Sequence, residues 1–259
     1  MTLAVDHDIL CLMMKLKFGD ANTKLVKLQT ALKLKVITFS LPSGFTCPGA
    51  LDCLSRANRQ TGHITDGPNT KFRCFQASAE ALYPQLRNMV WANFEAIKAQ
   101  NGNTAAITKL IQDSLPAKFD VCRVHVGGDF FNGSYFEAWL QVARDNPSKL
   151  FYAYTKELRT WVKNLGFIPT NFVLTASRGG KFDSLIDTYN LKNAVVVFSE
   201  KEATDKGLEI DHSDEKAAVG TKNFALLLHG VMPAGTPAAK ALQAIKAAAK
   251  SAAKSLSTI

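Results

Sequence analysis

The sequence predicts an α/β fold, a six-stranded parallel partial (β/α)6 barrel with helices outside. Six short apolar segments recur along the chain, and patterns typical of helices separate them. Such strands favour parallel pairing, and right-handed crossovers then give either a doubly wound sheet or a partial barrel. Unusual polar residues gather at the carboxyl ends of the strands, which favours the barrel with one site at its mouth. The predicted strands are residues 35–41, 119–126, 150–154, 171–175, 194–198 and 224–228.

The segments between these strands carry helix signals. Pro84 is well placed to begin a long helix that Gly102 ends, and a capping-box pattern begins another helix at Ser134. The polar stretch at 211–215 is predicted to be a long loop or lid. Since no linker divides the chain, we expect one domain. Its expected parts are a barrel core at about 35–230, an N-terminal helical extension at 1–34 and a C-terminal helix at 236–256.

Composition indicates an ordinary globular protein. The chain has 259 residues, of which 47% are apolar, enough for a sizeable core. No apolar run reaches the roughly 18 residues that a membrane span needs, and the N-terminus lacks the basic start of a secretion signal. We therefore expect a cytoplasmic protein with no membrane contact. Five cysteines at uneven spacing argue against a disulfide framework.

The chain is basic, with a formal net charge of +9, and its lysines crowd the two ends. A solvated surface explains such a charge, and so does contact with nucleic acid, because clustered cations gain from counterion release. No basic stretch is interleaved with aromatic residues and no nucleic-acid motif occurs. We expect non-specific nucleic-acid contact at most.

Three cysteines follow the first predicted strand. Cys47 and Cys53 lie in one loop and Cys74 comes later, and thiolates suit soft metals or an iron–sulfur cluster. Three thiolates leave one coordination position open. The alternatives are buried thiols or a structural zinc completed by His63 or His125. The other two cysteines, Cys11 and Cys122, are expected in the core.

Further polar residues and glycines end the other predicted strands, where side chains from parallel strands meet. Lys156 and Arg178 would also offset the negative charge of a tris-thiolate cluster, and His125 and Asp129 could form a hydrogen-bonded pair. The candidate catalytic residues are His125, Asp129, Lys156, Arg178 and Glu200. The candidate cofactor-binding residues are Gly127, Gly128, Asp129, Ser177 and Arg178.

Several motifs resemble the gene product 88 domain family of tailed bacteriophages, over roughly residues 17–245. This resemblance implies a phage-encoded protein made in the cytoplasm of an infected bacterial host. The motifs are Thr38-Phe-Ser-Leu-Pro-Ser-Gly44, Thr46-Cys-Pro-Gly-Ala50, Phe72-Arg-Cys-Phe75, His125-Val-Gly-Gly-Asp-Phe-Phe131, Phe151-Tyr-Ala-Tyr-Thr155, Thr175-Ala-Ser-Arg-Gly-Gly-Lys181 and Phe224-Ala-Leu-Leu-Leu-His-Gly230.

A more distant resemblance is to radical S-adenosylmethionine enzymes. They combine a six-stranded partial barrel with three cysteines after the first strand and a Gly-Gly-Glu-like segment after the second, here Gly127-Gly128-Asp129. The resemblance implies a [4Fe–4S] or [3Fe–4S] cluster, with S-adenosylmethionine at the open iron and Asp129 receiving its amino group. The cysteine spacing departs from that family, since five residues separate Cys47 from Cys53 and twenty separate Cys53 from Cys74.

Two function classes therefore stand side by side. The first is a phage-encoded iron–sulfur protein that performs redox or radical chemistry on a small ligand. Its partner would be a small molecule or a redox protein of the host. The second is a non-enzymatic cluster or zinc protein that binds host protein or nucleic acid.

Overall fold

The computed structural model describes residues 15–256, with side chains described as far as residue 251. The region predicted around Cys11 and the first 14 residues of the proposed N-terminal extension lie outside these residues. The nine strands of the described part are β1 (Gly19–Asp20), β2 (Val36–Phe39), β3 (Ser55–Ala57), β4 (Ile64–Asp66), β5 (Val121–Val124), β6 (Leu150–Thr155), β7 (Phe172–Ser177), β8 (Asn193–Val197) and β9 (Phe224–Leu227).

Seven of these strands form one mostly parallel sheet in the order β1-β2-β5-β6-β7-β8-β9. Neighbours from β2 to β9 pair in parallel, and all six parallel strands were predicted from the sequence. Strand β1 adds an antiparallel edge, with Gly19 opposite Thr38. The N-terminal extension is thus only partly helical, because two of its described residues complete the sheet.

Ten α-helices connect or cover the strands within the described residues. They are α1 (Thr23–Leu32), α2 (Phe75–Leu82), α3 (Pro84–Lys98), α4 (Thr104–Ser114), α5 (Gly133–Asp145), α6 (Leu158–Lys163), α7 (Ser184–Thr188), α8 (Glu200–Asp205), α9 (Glu215–Ala218) and α10 (Pro237–Leu256). Asparagine side chains cap three of them, because Asn22, Asn103 and Asn132 each accept a hydrogen bond from an amide of the first turn.

The sheet is buried on both faces by different sets of helices. Side chains such as Phe39 and Phe151 pack against α3 to α7, where Trp139 is fully buried. The other face, with Val121 and Tyr152, packs against α1 and α9. The expectation that all helices lie outside is therefore wrong for α1 and α9: a sheet buries its apolar faces in another layer, and these two helices supply the second one.

The polar stretch at 211–215 is not a lid. Asp214 is 1% exposed and forms ion pairs of 2.6 Å with both Arg123 and Lys24, while the hydroxyl of Tyr152 donates to it at 3.1 Å. The prediction rested on the local polarity of the stretch, but the cations come from distant elements, which allows a buried carboxylate there.

Among the helices of residues 15–256, none combines the length and apolarity needed to cross a bilayer.

Candidate functional site

A β-hairpin accounts for the long spacing between the second and third cysteines. Strands β3 and β4 pair antiparallel, so the chain leaves Cys53 and returns before Cys74. The carbonyl oxygen of Asp52 accepts hydrogen bonds from the amides of Lys71 at 2.8 Å and Phe72 at 3.2 Å. Two residues separated widely in the sequence, Cys53 and Cys74, therefore lie at the adjoining ends of one small unit.

The first cysteine reaches the same unit through a tight turn. The amide of Gly44 donates to the sulfur of Cys47 at 3.3 Å, and the amide of Cys74 donates to Ser55 Oγ at 3.2 Å. Gly44 has a φ of +70°, and a Cβ atom on it would lie 2.4 Å from the carbonyl oxygen of Ser55. A glycine is required here because the turn and the hairpin touch through their backbones.

The cysteine loop is also bonded to the loop after β7. Asp52 donates its amide to the oxygen of Gly179 at 2.9 Å, and Lys181 donates its amide to the oxygen of Gly49 at 2.9 Å. Ala50 and Gly180 form an antiparallel bridge between the two loops. The cysteines are therefore held at the carboxyl ends of the parallel strands, where the sequence predicted the site.

The three thiols lie in one electrostatic neighbourhood. Burial raises the pKa of Cys47 well above its ordinary value, and the charges of Asp129, Cys74 and Cys53 raise it further. Burial raises the pKa of Cys74 to about 12, with Cys53 adding to the increase. Burial also raises the pKa of Cys53, but Lys156 opposes the increase. Ionising all three thiols together therefore requires nearby cations.

The positions of the cysteines also bear on whether they could hold a metal ion. Within the described part of the chain, no three histidine, cysteine, aspartate or glutamate side chains form a group that could hold a metal ion. A tetrahedral zinc with bonds of about 2.3 Å needs its sulfurs in mutual contact. Cys122 lies apart from the site, fully buried among the apolar side chains that face α3 to α7, as predicted for a core residue.

Asp129 lies beside the cysteines, but its carboxylate is already occupied. It accepts hydrogen bonds from the amide of Phe130 at 2.7 Å, from Thr155 Oγ1 at 2.6 Å and from the amide of Lys156 at 2.8 Å. Burial raises its pKa to about 6, although these donors oppose the increase. The immediate task of Asp129 is to bind the start of the segment after β6.

Lys156 is a buried cation at this site, with 6% of the residue exposed. Its Nζ donates to the oxygen of Ser177 at 2.7 Å, to Ser177 Oγ at 2.9 Å and to the oxygen of Arg178 at 2.6 Å. These bonds join the ends of β6 and β7. Of the predicted cations at the strand ends, Lys156 is the one whose charge acts on Cys53.

His125 does not pair with Asp129, contrary to expectation. Its Nε2 lies 2.8 Å from the hydroxyl of Tyr135, and its Nδ1 is buried without a hydrogen-bond partner. Burial, and then the charge of Arg123, lowers its pKa to about 3. His125 is thus a neutral side chain in an aromatic environment, with its ring centre 4.6 Å from that of Phe130.

Two other predicted candidates point elsewhere. Arg178 pairs with Asp187 at 2.6 Å and with Asn193 Oδ1 at 2.9 Å, and Glu200 is exposed at the start of α8.

The two predicted glycines allow close packing within the protein itself. A Cβ atom on Gly127 would lie 2.0 Å from the side chain of Gln76, and one on Gly128 would lie 2.7 Å from Leu41 Cβ.

Sequence reasoning missed a group of buried polar side chains around α2. Gln76 Nε2, Ser43 Oγ, Ser78 Oγ and Glu80 Oε2 are all buried and lack a hydrogen-bond partner. Burial raises the pKa of Glu80 to about 7, and the amide of Ser43, which donates to Glu80 Oε1 at 2.9 Å, opposes the increase. Ordinary protein interiors leave few such atoms unpaired, so their concentration beside Cys74 is unusual.

Comparison with known proteins supports the resemblance to the phage family and gives no support to the resemblance to radical S-adenosylmethionine enzymes. The profile of the family described as "Gene product 88" matches residues 14–253. The "Gene 88 protein" of Mycobacterium phage L5 is 27% identical over 128 residues, which cover 46% of this chain and 47% of that relative. The matched part is thus about half of the relative's length. No solved structure matches the chain. Both matches point to a bacteriophage origin, and the chain belongs to the gene product 88 family.

Proposed function

We propose that this phage protein is an iron–sulfur protein whose cluster is held by Cys47, Cys53 and Cys74. The observation that carries the proposal is the hairpin that returns the chain to Cys53 after a twenty-residue excursion. Together with the turn at Gly44, it gathers three cysteines from two loops at one end of the parallel strands. The irregular spacing in the sequence is therefore compatible with a compact ligand set.

Three thiols with hydrogen-bond donors nearby are the kind of donor set that a cluster uses. Cluster irons occupy separate corners, so their thiolates lie farther apart than those around one zinc. The thiols affect one another's pKa, although within the described residues they do not form a ready metal-binding group. The unpaired donors of Gln76, Ser43 and Ser78 are also the kind of group that hydrogen-bonds cluster sulfides.

The protein's own residues would bind and tune this cluster. Lys156 supplies a fixed positive charge beside Cys53, which favours its thiolate form. Asp129 keeps Lys156 in place by accepting the amide of that residue and the hydroxyl of Thr155. A bound cluster would supply one-electron transfer, and the partial burial of its three cysteine ligands would limit access of water and oxygen.

The enzymatic version of this proposal is S-adenosylmethionine chemistry in a partial barrel. Its support is that the six parallel strands follow chain order and that α3 to α7 pack on one face of the sheet. Against it, Asp129 already accepts three hydrogen bonds, and Gly127 and Gly128 are closely approached by Gln76 and Leu41. We therefore favour a redox or structural cluster, with S-adenosylmethionine binding as the enzymatic alternative.

The deciding experiment is metal analysis of protein purified without oxygen. We expect coloured protein with about three to four irons and matching sulfide per chain. Colourless protein with one zinc per chain would favour the alternative of a zinc protein. Titration of the loaded protein with S-adenosylmethionine, followed by electron paramagnetic resonance, separates the two cluster versions. A changed spectrum indicates the enzyme and an unchanged one a non-enzymatic cluster.

A further inference from the structure

The C-terminal helix α10 extends beyond the body of the protein. Its first half is anchored, because Ala238 and Leu242 are buried and Ile245 packs beside them. From residue 246 to residue 251 every side chain is exposed. Six consecutive residues cover more than one and a half helical turns, so solvent surrounds the helix on all sides from residue 246 to residue 251. A helix that covered a core would bury a stripe of these residues.

The charge of α10 has one sign. The sequence from 237 to 256 contains Lys240, Lys246, Lys250 and Lys254 and no acidic residue. None of the three lysines with described side chains forms an ion pair within the described part of the chain. Other surface lysines differ in this respect; Lys109 and Lys201, for example, pair with an acid one turn later.

This arrangement does not serve the stability of the helix itself. Lys246, Lys250 and Lys254 follow one another at four-residue spacing, which puts them on one face, where like charges repel. Lys240 adds a cation to the first turn, at the positive end of the helix dipole. Only Lys254, in the last turn, lies where the dipole favours a cation. The high helix propensity of alanine stabilises the helix, whereas the positive charges of the lysines repel one another.

We propose that the outer half of α10 binds the phosphate backbone of duplex DNA without sequence preference. Lys246 and Lys250 are unpaired within the described part of the chain, and Lys254 continues the same spacing in the sequence. Such a row of cations complements a polyanion, and binding it releases counterions. The residues between the lysines are mainly alanine, which allows close approach of the helix, and residues 246–256 contain no arginine, asparagine or glutamine to read base edges. An anionic membrane is less suitable as the occupant, because membrane-surface helices need large apolar residues opposite the charge.

The test is fluorescence anisotropy of a labelled random-sequence DNA duplex over a series of salt concentrations. The variant Lys246→Gln/Lys250→Gln/Lys254→Gln removes the row with little change in helix propensity. Its matched control is Lys109→Gln/Lys201→Gln/Lys206→Gln, which removes the same charge elsewhere on the protein. Each of these three lysines pairs with an acidic residue four positions away in the sequence.

We expect salt-dependent binding by the wild-type protein, and a loss of at least about tenfold at low salt in the α10 variant. A plot of the logarithm of the binding constant against the logarithm of the salt concentration has a negative slope. In that variant the slope should become about 2.7 less steep, since each lost phosphate contact removes roughly 0.9. The control should stay within about twofold of wild type. Equal losses in the two variants would overturn the proposal, as would absent DNA binding, marked sequence preference or binding only to an acidic protein or anionic vesicles. Since apoprotein can be used, this result is independent of the cluster.

Discussion

Gly44 lies against the carbonyl group of Ser55 so closely that a Cβ atom would come within 2.4 Å of the oxygen. The contact joins the turn that bears Cys47 to the hairpin that separates Cys53 from Cys74. Because backbone meets backbone, neither side can yield by changing a rotamer. The geometry of the proposed cluster site therefore depends on this glycine, and a matched substitution can measure the dependence.

Gly44→Ala should destabilise the protein and impair cluster loading. A left-handed φ costs a non-glycine residue about 1 kcal/mol or more, and the clash with Ser55 adds to that cost. Gly207 is the control, since its φ is +65° but nothing lies within 4 Å of its Cβ position. We expect Gly207→Ala to lose about 1 kcal/mol by urea unfolding with full iron content, and Gly44→Ala to lose about 3 kcal/mol with reduced iron. Equal effects of the two substitutions would show that the contact is unimportant.

Single substitutions of the three site cysteines should abolish the cluster. Cys47→Ala, Cys53→Ala and Cys74→Ala each remove one of the proposed ligands, so we expect iron and visible absorption to fall to background levels. Cys122→Ala is the control, because Cys122 is buried among apolar side chains. It should retain its iron and lose only about 1 kcal/mol of stability from the small cavity. Iron lost from the control alone would revise the ligand set.

Lys156→Met should lower the reduction potential of the loaded protein. A buried cation near Cys53 stabilises the more negative, reduced cluster, and methionine keeps much of the volume while removing the charge. A shift of about −60 mV would correspond to roughly 1.4 kcal/mol for one electron.

Lys181→Met is the control for this charge, because the Lys181 side chain is exposed and its Nζ donates to the oxygen of Pro48 at 2.9 Å, while its amide bond to Gly49 is kept in the variant. Redox titration monitored by electron paramagnetic resonance measures both variants. A potential that does not respond to Lys156→Met, in protein with normal iron content, would mean that this charge does not act on a cluster.

The buried ion pairs of Asp214 should make stability depend on acid pH. Although burial disfavours its charge, Arg123 and then Lys24 hold the pKa of Asp214 below its ordinary value. A lowered folded-state pKa gives stability that is present above the unfolded value, about 3.9, and is lost as pH falls through the folded value. Asp214→Asn should cost about 3–5 kcal/mol at pH 7, since it leaves Arg123 without its buried partner.

Urea unfolding at a series of pH values checks this expectation. The difference between wild type and Asp214→Asn should shrink below about pH 4. Asp113→Asn, which removes an exposed ion pair with Lys109, should change stability by less than about 0.5 kcal/mol throughout. A difference for Asp214→Asn that stays constant down to pH 3 would show that the ionised carboxylate is not what stabilises the fold.

The sequence determined the parallel strands and the end of the sheet at which the cysteines lie. Runs such as residues 194–198 are apolar because both faces of the sheet are covered, and that composition is visible without a structure. The same pattern could not reveal β1 or the β3–β4 hairpin. Those strands are two or three residues long, so their periodicity is too short to recognise.

Only the tertiary structure decided which polar residues share the site. Lys156 turns inward to Ser177, whereas Arg178 turns to Asp187, yet both end a strand in the same way in the sequence. Asp214 lies in a loop, as predicted, but its burial and its ion pairs with Arg123 and Lys24 became visible only once the fold brought those cations from distant elements. Local composition determines which segments are buried, because burial depends on apolarity. The partners of a polar group depend on contacts between remote segments, and those contacts exist only once the chain has folded.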